Sequence, residues 1–409
     1  MKGSILTLGC KVNQSESSII EGSLINIGYS IVGLDDHPDF CIVNTCTVTA
    51  KSDYQSRQLI RRAIKSGAKV IVTGCYAHLR PEEIIKIGDN ISIVNNNKKL
   101  SIIDMLASKT ISYTLNYSSR SRPYLKVQDG CNFTCAYCTV PLARGKPISI
   151  NIHDVIRQAI DLEASGYNEI VLTGIHLGLY GYELIPKVNL SDLIKSILSK
   201  TKIKRIRLSS LELNEVDEEI IELLQEERIC KHIHIPLQSG DNKILKLMKR
   251  RYNAEDYASI IERIKNKIPS ISIGTDIIVG FPGEDEKEFT NTKVFIESLP
   301  LTYMHLFPFS PRPNTLALKM PDHVPHKIKR ERVAELNALN IKKQRTYLSL
   351  QVNKSLDIII EKKDDKNITL GTSSNYLKVM IPSNRYVKGE LIRVRIAGIE
   401  KNMLKGYPI

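Results

Sequence analysis

No stretch of this 409-residue sequence reaches the roughly 20 consecutive apolar residues that a membrane-spanning helix requires, so no membrane partner is expected. There is no repeat at a fixed period and no low-complexity tract, which excludes a solenoid and a disordered scaffold. A Walker-type phosphate loop is also missing, and the turn Gly280-Phe281-Pro282-Gly283-Glu284 lacks the spacing of a dinucleotide fingerprint. Acidic residues are in deficit: 44 Asp and Glu against 58 Lys and Arg leave a net charge of +14 and point to a polyanionic partner, most simply nucleic acid. Met1 to Cys10 carries one lysine and a short apolar run that reads as a strand, so no signal peptide is expected and the cytoplasm is the expected location.

What remains is an ordinary soluble composition, 42% hydrophobic and 25% charged, enough for two or three cored domains. Against it stands one dense segment, Cys131-Asn132-Phe133-Thr134-Cys135-Ala136-Tyr137-Cys138. Three thiolates at this spacing can hold three irons of a [4Fe-4S] cube and leave the fourth open to a substrate. A zinc site needs a fourth Cys or His, and the nearest histidines on either side, His78 and His153, show no paired knuckle. A disulfide fits poorly in a chain that reads as an intracellular enzyme. Tyr137 taken alone reads as a core residue more readily than as a cofactor contact.

In the N-terminal third, strands expected at Ser4 to Leu8, Phe40 to Asn44, Lys69 to Thr73 and Ile91 to Asn95 alternate with helices at Gln14 to Ile27, Ser52 to Gly67 and Pro81 to Ile87. This is the pattern of a flavodoxin- or Rossmann-like α/β domain with a parallel sheet. Cys10, Cys46 and Cys75 each fall within two residues of a strand's carboxyl end, where such sheets open their ligand crevice, so three thiols are expected to converge. Cys41 and Cys230 lack that placement and are expected to be inert buried thiols.

From Arg122 a second alternation begins, with strands at Tyr124 to Gln128, Glu169 to Thr173, Arg205 to Ser209, His232 to Leu237, Ile271 to Ile278 and Met304 to Phe307. Six strand-helix units predict a partial (β/α)6 barrel, whose chemistry belongs at the carboxyl rim, where Cys131 to Cys138, Thr173, Gly174, Ser209, Glu212 and Gln238 fall. His232 and His234 share a strand face without a third ligand in view and read as packing or hydrogen-bonded histidines. A charged helix from Lys327 to Arg345 leads into strands at Leu356 to Ile360, Leu377 to Ile381 and Leu391 to Ile396, which predict a small antiparallel β-barrel. Its Lys378, Arg393 and Arg395 belong either to a solvated basic face or to a phosphate-tracking surface. The expected domains are thus 1–110, 117–344 and 345–409.

Together these motifs resemble the methylthiotransferase family of radical S-adenosylmethionine (SAM) enzymes over essentially the whole chain. Thr7 to Gln14, Asn44 to Val48, Val72 to Cys75 and Cys131 to Cys138 look like the family's cluster segments. Pro141 to Gly145, Thr173-Gly174, Ser209 to Glu212, Pro236 to Gly240 and Val279 to Glu284 look like its barrel motifs, and the tail is similar to its RNA-binding TRAM barrel. The resemblance implies two [4Fe-4S] clusters, one on Cys131, Cys135 and Cys138 with SAM on its open iron, the other on Cys10, Cys46 and Cys75. It implies Tyr137, Thr173, Gly174, Ser209, Glu212 and Gln238 as cofactor contacts and Lys378, Arg393 and Arg395 as RNA contacts. The implied reaction cleaves SAM to a radical, takes hydrogen from an unactivated carbon, delivers sulfur from the second cluster and methylates it from another SAM. Implied partners are the anticodon stem-loop of tRNA, a low-potential electron donor such as flavodoxin or ferredoxin, and a sulfur source.

Three subfamilies act on isopentenyladenosine in tRNA, threonylcarbamoyladenosine in tRNA, or an aspartate of a ribosomal protein. Gly9-Cys10-Lys11-Val12-Asn13 and Thr173 to Gly181 look most like the threonylcarbamoyladenosine enzymes. Two departures stand out: Asn314 replaces the Gly expected in Pro311 to Thr315, and Ala136 replaces a bulkier residue or Thr. A reading of another class, a non-catalytic iron-sulfur or zinc RNA-binding protein, accounts for the cysteines and the basic tail but leaves the barrel-rim motifs without a role.

Overall fold

The computed structural model describes residues 1–107, 120–364, 367–383 and 385–409. Strands β1 (Lys2–Thr7), β2 (Ser30–Ile31), β3 (Phe40–Thr45), β4 (Lys69–Gly74) and β5 (Ile91–Ile93) form a parallel sheet in the order β2-β1-β3-β4-β5. The central strand β3 is buried at every position, as a parallel strand covered on both faces must be. Its residues alternate between two cores. Phe40 and Ile42 pack with Ile20 and Leu24 of the helix Lys11–Asn26, while Cys41 and Val43 pack with Ile60 and Ala63 of the helix Ala50–Lys65. Each fully buried aliphatic side chain here stabilises the domain by about 1.5–3 kcal/mol.

The middle of the chain opens with β6 (Tyr124–Lys126) and a short hairpin of β7 (Gln128–Asp129) and β8 (Ile148–Ser149). There follow β9 (Glu169–Thr173), β10 (Arg205–Leu208), β11 (His232–His234), β12 (Ser272–Val279) and β13 (Tyr303–Pro308). Two parallel three-stranded sheets, β10-β9-β6 and β11-β12-β13, meet where the Cys230 N–H donates to the Ile206 carbonyl at 2.9 Å and the Leu211 N–H to the His234 carbonyl at 3.0 Å. The result is a six-stranded open barrel. Asn151, Asn189, Asp217, Asn253 and Asp285 each accept a main-chain N–H at the start of an outer helix, so five helices begin where sequence puts a capping residue. The exposed edge of β13 is covered by the helix His326–Ser349, whose Asn340 pairs both the N–H and the carbonyl of Met304, at 2.9 and 3.0 Å.

That helix runs into a closed barrel of β14 (Ser355–Asp364), β15 (Ile368–Ser373), β16 (Lys378–Ile381), β17 (Leu391–Glu400) and β18 (Met403–Pro408), in the order β14-β15-β16-β18-β17. All pairings are antiparallel except β16 with β18, which run parallel. The small barrel docks on the larger one through buried arginines: Arg205 and Arg207 donate to carbonyls of Asp357, Thr372, Ser373 and Ser374. Arg122 pairs with Glu361. The expected strands lie within a few residues of those observed, whereas β2, β8, β15 and β18 had no expected counterpart. The expected division between residues 110 and 117 lies outside the described residues.

Candidate functional site: two cysteine triads across a domain seam

Cys131, Cys135 and Cys138 lie on the loop between β7 and the short helix Val140–Arg144, at the carboxyl rim of the open barrel. The thiols lie close enough that Cys131 opposes ionisation of Cys135, and both oppose ionisation of Cys138. Main-chain N–H groups of Phe133 and Val140 donate to the sulfurs of Cys131 and Cys138, each at 3.4 Å. Arg250 adds a guanidinium N–H toward Cys135 at 3.5 Å. Free thiols on one loop with donors aimed at sulfur suit a [4Fe-4S] cluster, whose sulfurs such hydrogen bonds tune. Burial pushes the Cys138 thiol up to about 12 and raises Cys135 as well, so metal binding must displace protons.

Around this loop the expected cofactor contacts divide. Tyr137, Glu212 and Cys135 share Arg250, which pairs with Glu212 and lies 3.5 Å from the Tyr137 hydroxyl. Of these, Glu212 and Arg250 border a recess lined also by Phe133, Asn214 and Tyr252. Ser209 is buried with its hydroxyl unpartnered. Thr173 and Gly174 do not reach that recess. Gly174 is where Gln128 passes: a Cβ there would sit 2.9 Å from the Gln128 amide oxygen, which accepts the His176 N–H. Gln238 lies across the barrel, left-handed at φ 70°, with its N–H on the Asp276 carbonyl. His176 was not foreseen as a site residue. Its Nδ1 is 3.2 Å from the Cys131 sulfur and its Nε2 pairs with Glu215. Burial alone would lower its pKa, but these two partners raise it to about 9.

The second triad is assembled from three strand ends. Gly9 and Gly74 hold the left-handed backbone, at φ 120° and 98°, that turns the chain so Cys10 caps the helix Lys11–Asn26 and Cys75 starts the helix Cys75–Leu79. A Cβ on Gly74 would lie 2.3 Å from the Thr45 carbonyl oxygen, one residue before Cys46. Cys46 senses the charges of Cys75 and Cys10, and Cys75 that of Cys10, so the strand ends bring the three thiols near one another. Burial pushes Cys46 up to about 11 and raises Cys75, while Arg144 donates toward Cys75. Three free thiols, Cys46 and Cys75 buried and Cys10 open to solvent, with a cation alongside suit a second cluster of the same kind. Cys41 and Cys230 are fully buried elsewhere.

An ionic seam joins the two halves. Glu16, buried in the helix Lys11–Asn26, binds Lys99 of its own domain together with Lys126, at 2.7 Å, and Arg144, at 3.1 Å, of the barrel. Burial alone would raise the Glu16 carboxyl, yet these three cations hold it well below the usual range. Arg312, from Pro311 to Thr315, donates to Thr47 at 2.8 Å and pairs with Asp53, anchoring the segment after Cys46. Asn314 stands at φ 63°, a conformation Gly enters freely and Asn tolerates better than most residues, which explains its place where Gly was expected. Ala136 is 1% exposed, and its N–H and carbonyl are tied to Met248 and Ala317 at 3.0 and 2.8 Å.

Residues 125–296 match the Radical SAM superfamily and residues 2–95 match the Uncharacterized protein family UPF0004. The protein of Aquifex aeolicus (strain VF5) named threonylcarbamoyladenosine tRNA methylthiotransferase MtaB is 37% identical, over 97% of this chain and 100% of its own. A Bacillus subtilis (strain 168) protein of the same name is also 37% identical, over 98% of this chain and 94% of its own. The chain belongs to the methylthiotransferase family of radical SAM enzymes. Its fold is shared by the radical SAM methyltransferase TsrM from Kitasatospora setae, with a TM-score of 0.56 at 14% identity, over 77% of this chain and 76% of that one. Membership brings one [4Fe-4S] cluster and SAM to the methylthiotransferase, and among the described residues no helix is long and apolar enough to cross a membrane.

The inner wall of the methylthiotransferase barrel carries groups that sequence patterns did not unite. His232 hydrogen-bonds Tyr303 at 2.8 Å and stacks near Tyr376 of the closed barrel. Burial first, then Arg207 and Lys11, keep its pKa well below the ordinary value. His234 and His305 both face Asp276, at 3.2 and 3.1 Å. Burial alone would raise the Asp276 carboxyl, but the two imidazoles hold it well below the carboxylate range. Thus His234 does have partners, supplied by strands far away in sequence. On the closed barrel, Arg393 and Arg395 alternate outward on β17, and Arg395 stands opposite the exposed Tyr407 of β18. Lys378 lies on β16, beyond β18, and pairs with Glu361.

Proposed function

We propose that this methylthiotransferase adds a 2-methylthio group to threonylcarbamoyladenosine beside the anticodon of tRNA. In this reading Cys131, Cys135 and Cys138 hold the radical cluster, and Cys10, Cys46 and Cys75 hold a second one. When bound, the first cluster and SAM supply the radical, and the second supplies the sulfur. The observation that carries the reading is the seam: Arg144 reaches Asn13 and Glu16 on one side and Asp129 on the other, beside Cys75. That contact fixes the two triads relative to each other, which a reaction using both requires.

The chain's own residues then have separable tasks. Arg250 and Glu212 form a charged wall beside Cys135 for the polar end of SAM. The seam of Glu16, Lys99, Lys126 and Arg144 closes the space between the triads against movement. An adenosine next to the anticodon lies in a single-stranded loop and enters a pocket without melting a duplex. Arg393, Arg395 and Tyr407 would grip nearby phosphates and bases, with Lys378 at the margin. The division into residues 1–110, 117–344 and 345–409, a cytoplasmic location, a flavodoxin or ferredoxin as donor, and a separate sulfur source belong to the same proposal. The test is mass spectrometry of tRNA nucleosides from cells lacking this protein. Loss of 2-methylthio-threonylcarbamoyladenosine, with its precursor accumulating, is expected; an unchanged pool, with 2-methylthio-isopentenyladenosine lost instead, contradicts it.

A further inference from the structure

Three neighbouring strands bring another set of metal-binding side chains to the inner face of the open barrel. In the register of β11, β12 and β13, His234 stands beside Gly274 and Asp276 beside His305. Successive residues of a strand point to opposite faces. Ile233, Ile273, Ile277 and Met304 enter the core with Tyr257 and Ile261 of the outer helix Ala254–Lys267, so His234, Asp276 and His305 face the other way, into the barrel.

Their donor atoms converge. His234 Nε2 and His305 Nδ1 lie 3.2 and 3.1 Å from one carboxylate oxygen, Oδ1 of Asp276, and the three atoms fall within 4.8 Å of one another. Donors bound to one ion at about 2.1 Å stand about 3.0 to 3.4 Å apart in octahedral or tetrahedral geometry, so the spacings to Asp276 are those of a coordination shell.

Two further observations separate this cluster from an ordinary hydrogen-bonded one. The His234 Nε2 is buried, and its approach to Asp276 lacks the alignment of a hydrogen bond, which leaves it with no hydrogen-bond partner among the described residues. The other ring nitrogen, Nδ1, is 2.8 Å from the Ser210 hydroxyl, which holds the imidazole with Nε2 toward Asp276. Metal-binding histidines are oriented in this way, by a partner on the nitrogen that does not ligate. The cluster is also reachable: His234 is 6% exposed, but the His305 side chain is 54% exposed and that of Asp276 24%.

We propose that His234, Asp276 and His305 bind a divalent transition-metal ion inside the barrel, sharing no ligand with the two cysteine triads. Two imidazoles and a carboxylate suit Zn2+, Fe2+ or Mn2+ better than Mg2+ or Ca2+, which take oxygen ligands. Three protein ligands leave at least one position for water or for an oxygen of a molecule bound in the barrel. Sulfur takes no part, and the site is independent of which nucleoside is the substrate.

The experiment takes the protein with its iron-sulfur clusters reconstituted, equilibrates it without oxygen against buffered Zn2+, and counts zinc and iron by mass spectrometry. Zinc K-edge X-ray absorption then identifies the ligands. The wild type should hold about one zinc with nitrogen and oxygen at about 2.0–2.2 Å, without loss of iron. At the same free Zn2+, His305→Ala and Asp276→Asn should lose that nitrogen and oxygen shell and keep their iron, and Ser210→Ala should bind zinc about 10- to 100-fold more weakly. A wild type without zinc, or one whose zinc has only sulfur neighbours at about 2.3 Å, overturns the assignment whether or not the variants fold. So does a nitrogen and oxygen shell that persists in both His305→Ala and Asp276→Asn.

Discussion

The two cysteine triads present three thiols in opposite ways. Cys131, Cys135 and Cys138 occupy a single loop, and their geometry follows from local backbone, with N–H donors from Phe133 inside that loop and Val140 at the start of the helix that ends it. Cys10, Cys46 and Cys75 come from the ends of β1, β3 and β4 and meet only because three parallel strands stop at the same edge. A local site can form wherever its loop is intact. A distributed site exists only when the sheet, its two glycine turns and the seam are all in place, so it reports on the whole N-terminal domain.

The largest effect expected from breaking this comparison comes from the local triad. Changing Cys131, Cys135 or Cys138 to Ala should abolish reductive SAM cleavage, read as 5′-deoxyadenosine formed under dithionite, while about half the iron remains on the other triad. Normal yields from all three variants rule the assignment out.

Next in size is the anchor that docks the closed barrel. Glu169 is buried among Arg122, Arg205 and Arg207; burial alone would raise its carboxyl, but the three arginines hold it at about 2. Glu169→Gln leaves Arg205 and Arg207 without a counter-ion, Arg122 keeping Glu361, and should cost about 3–5 kcal/mol, read by urea unfolding at neutral pH. Because the folded pKa lies below the ordinary 4.5, the stabilisation is complete above that pH. The gap between wild type and variant should therefore close as pH falls toward 2. A gap that is constant with pH contradicts the charge account.

The smallest effect concerns the RNA-facing tail. Arg393→Ala and Arg395→Ala should each flatten the salt dependence of tRNA binding by about one unit of logarithmic slope. Lys378→Ala should change the slope less, since Glu361 already holds that ammonium. Equal effects at all three positions would place Lys378 on the same surface after all.

The sequence was legible wherever a feature was local or strongly periodic. The three-cysteine loop and the six barrel strands fall close to where spacing and alternation put them. Short partners were not legible: Ser30–Ile31 is a two-residue strand whose pairing is decided by β1, and β15 and β18 carry too few apolar residues in alternation to stand out. Nor were contacts between distant strands. His234 showed no third ligand in sequence because Asp276 and His305 come from β12 and β13 of the same sheet, far away along the chain, and Glu16 looks like an ordinary helix glutamate until Lys126 and Arg144 arrive from the other domain. Tertiary structure supplied what local pattern could not.

The central claim, that the distributed triad serves sulfur transfer and the local one radical formation, is tested most directly by the triple variant Cys10→Ala, Cys46→Ala, Cys75→Ala. It is given SAM, dithionite and tRNA carrying threonylcarbamoyladenosine without oxygen, and both 5′-deoxyadenosine and methylthio nucleoside are quantified. The account predicts that about half the iron is lost, that 5′-deoxyadenosine still forms, and that no methylthio nucleoside appears, with Cys41→Ala and Cys230→Ala retaining both products. Full methylthiolation by the triple variant would contradict it.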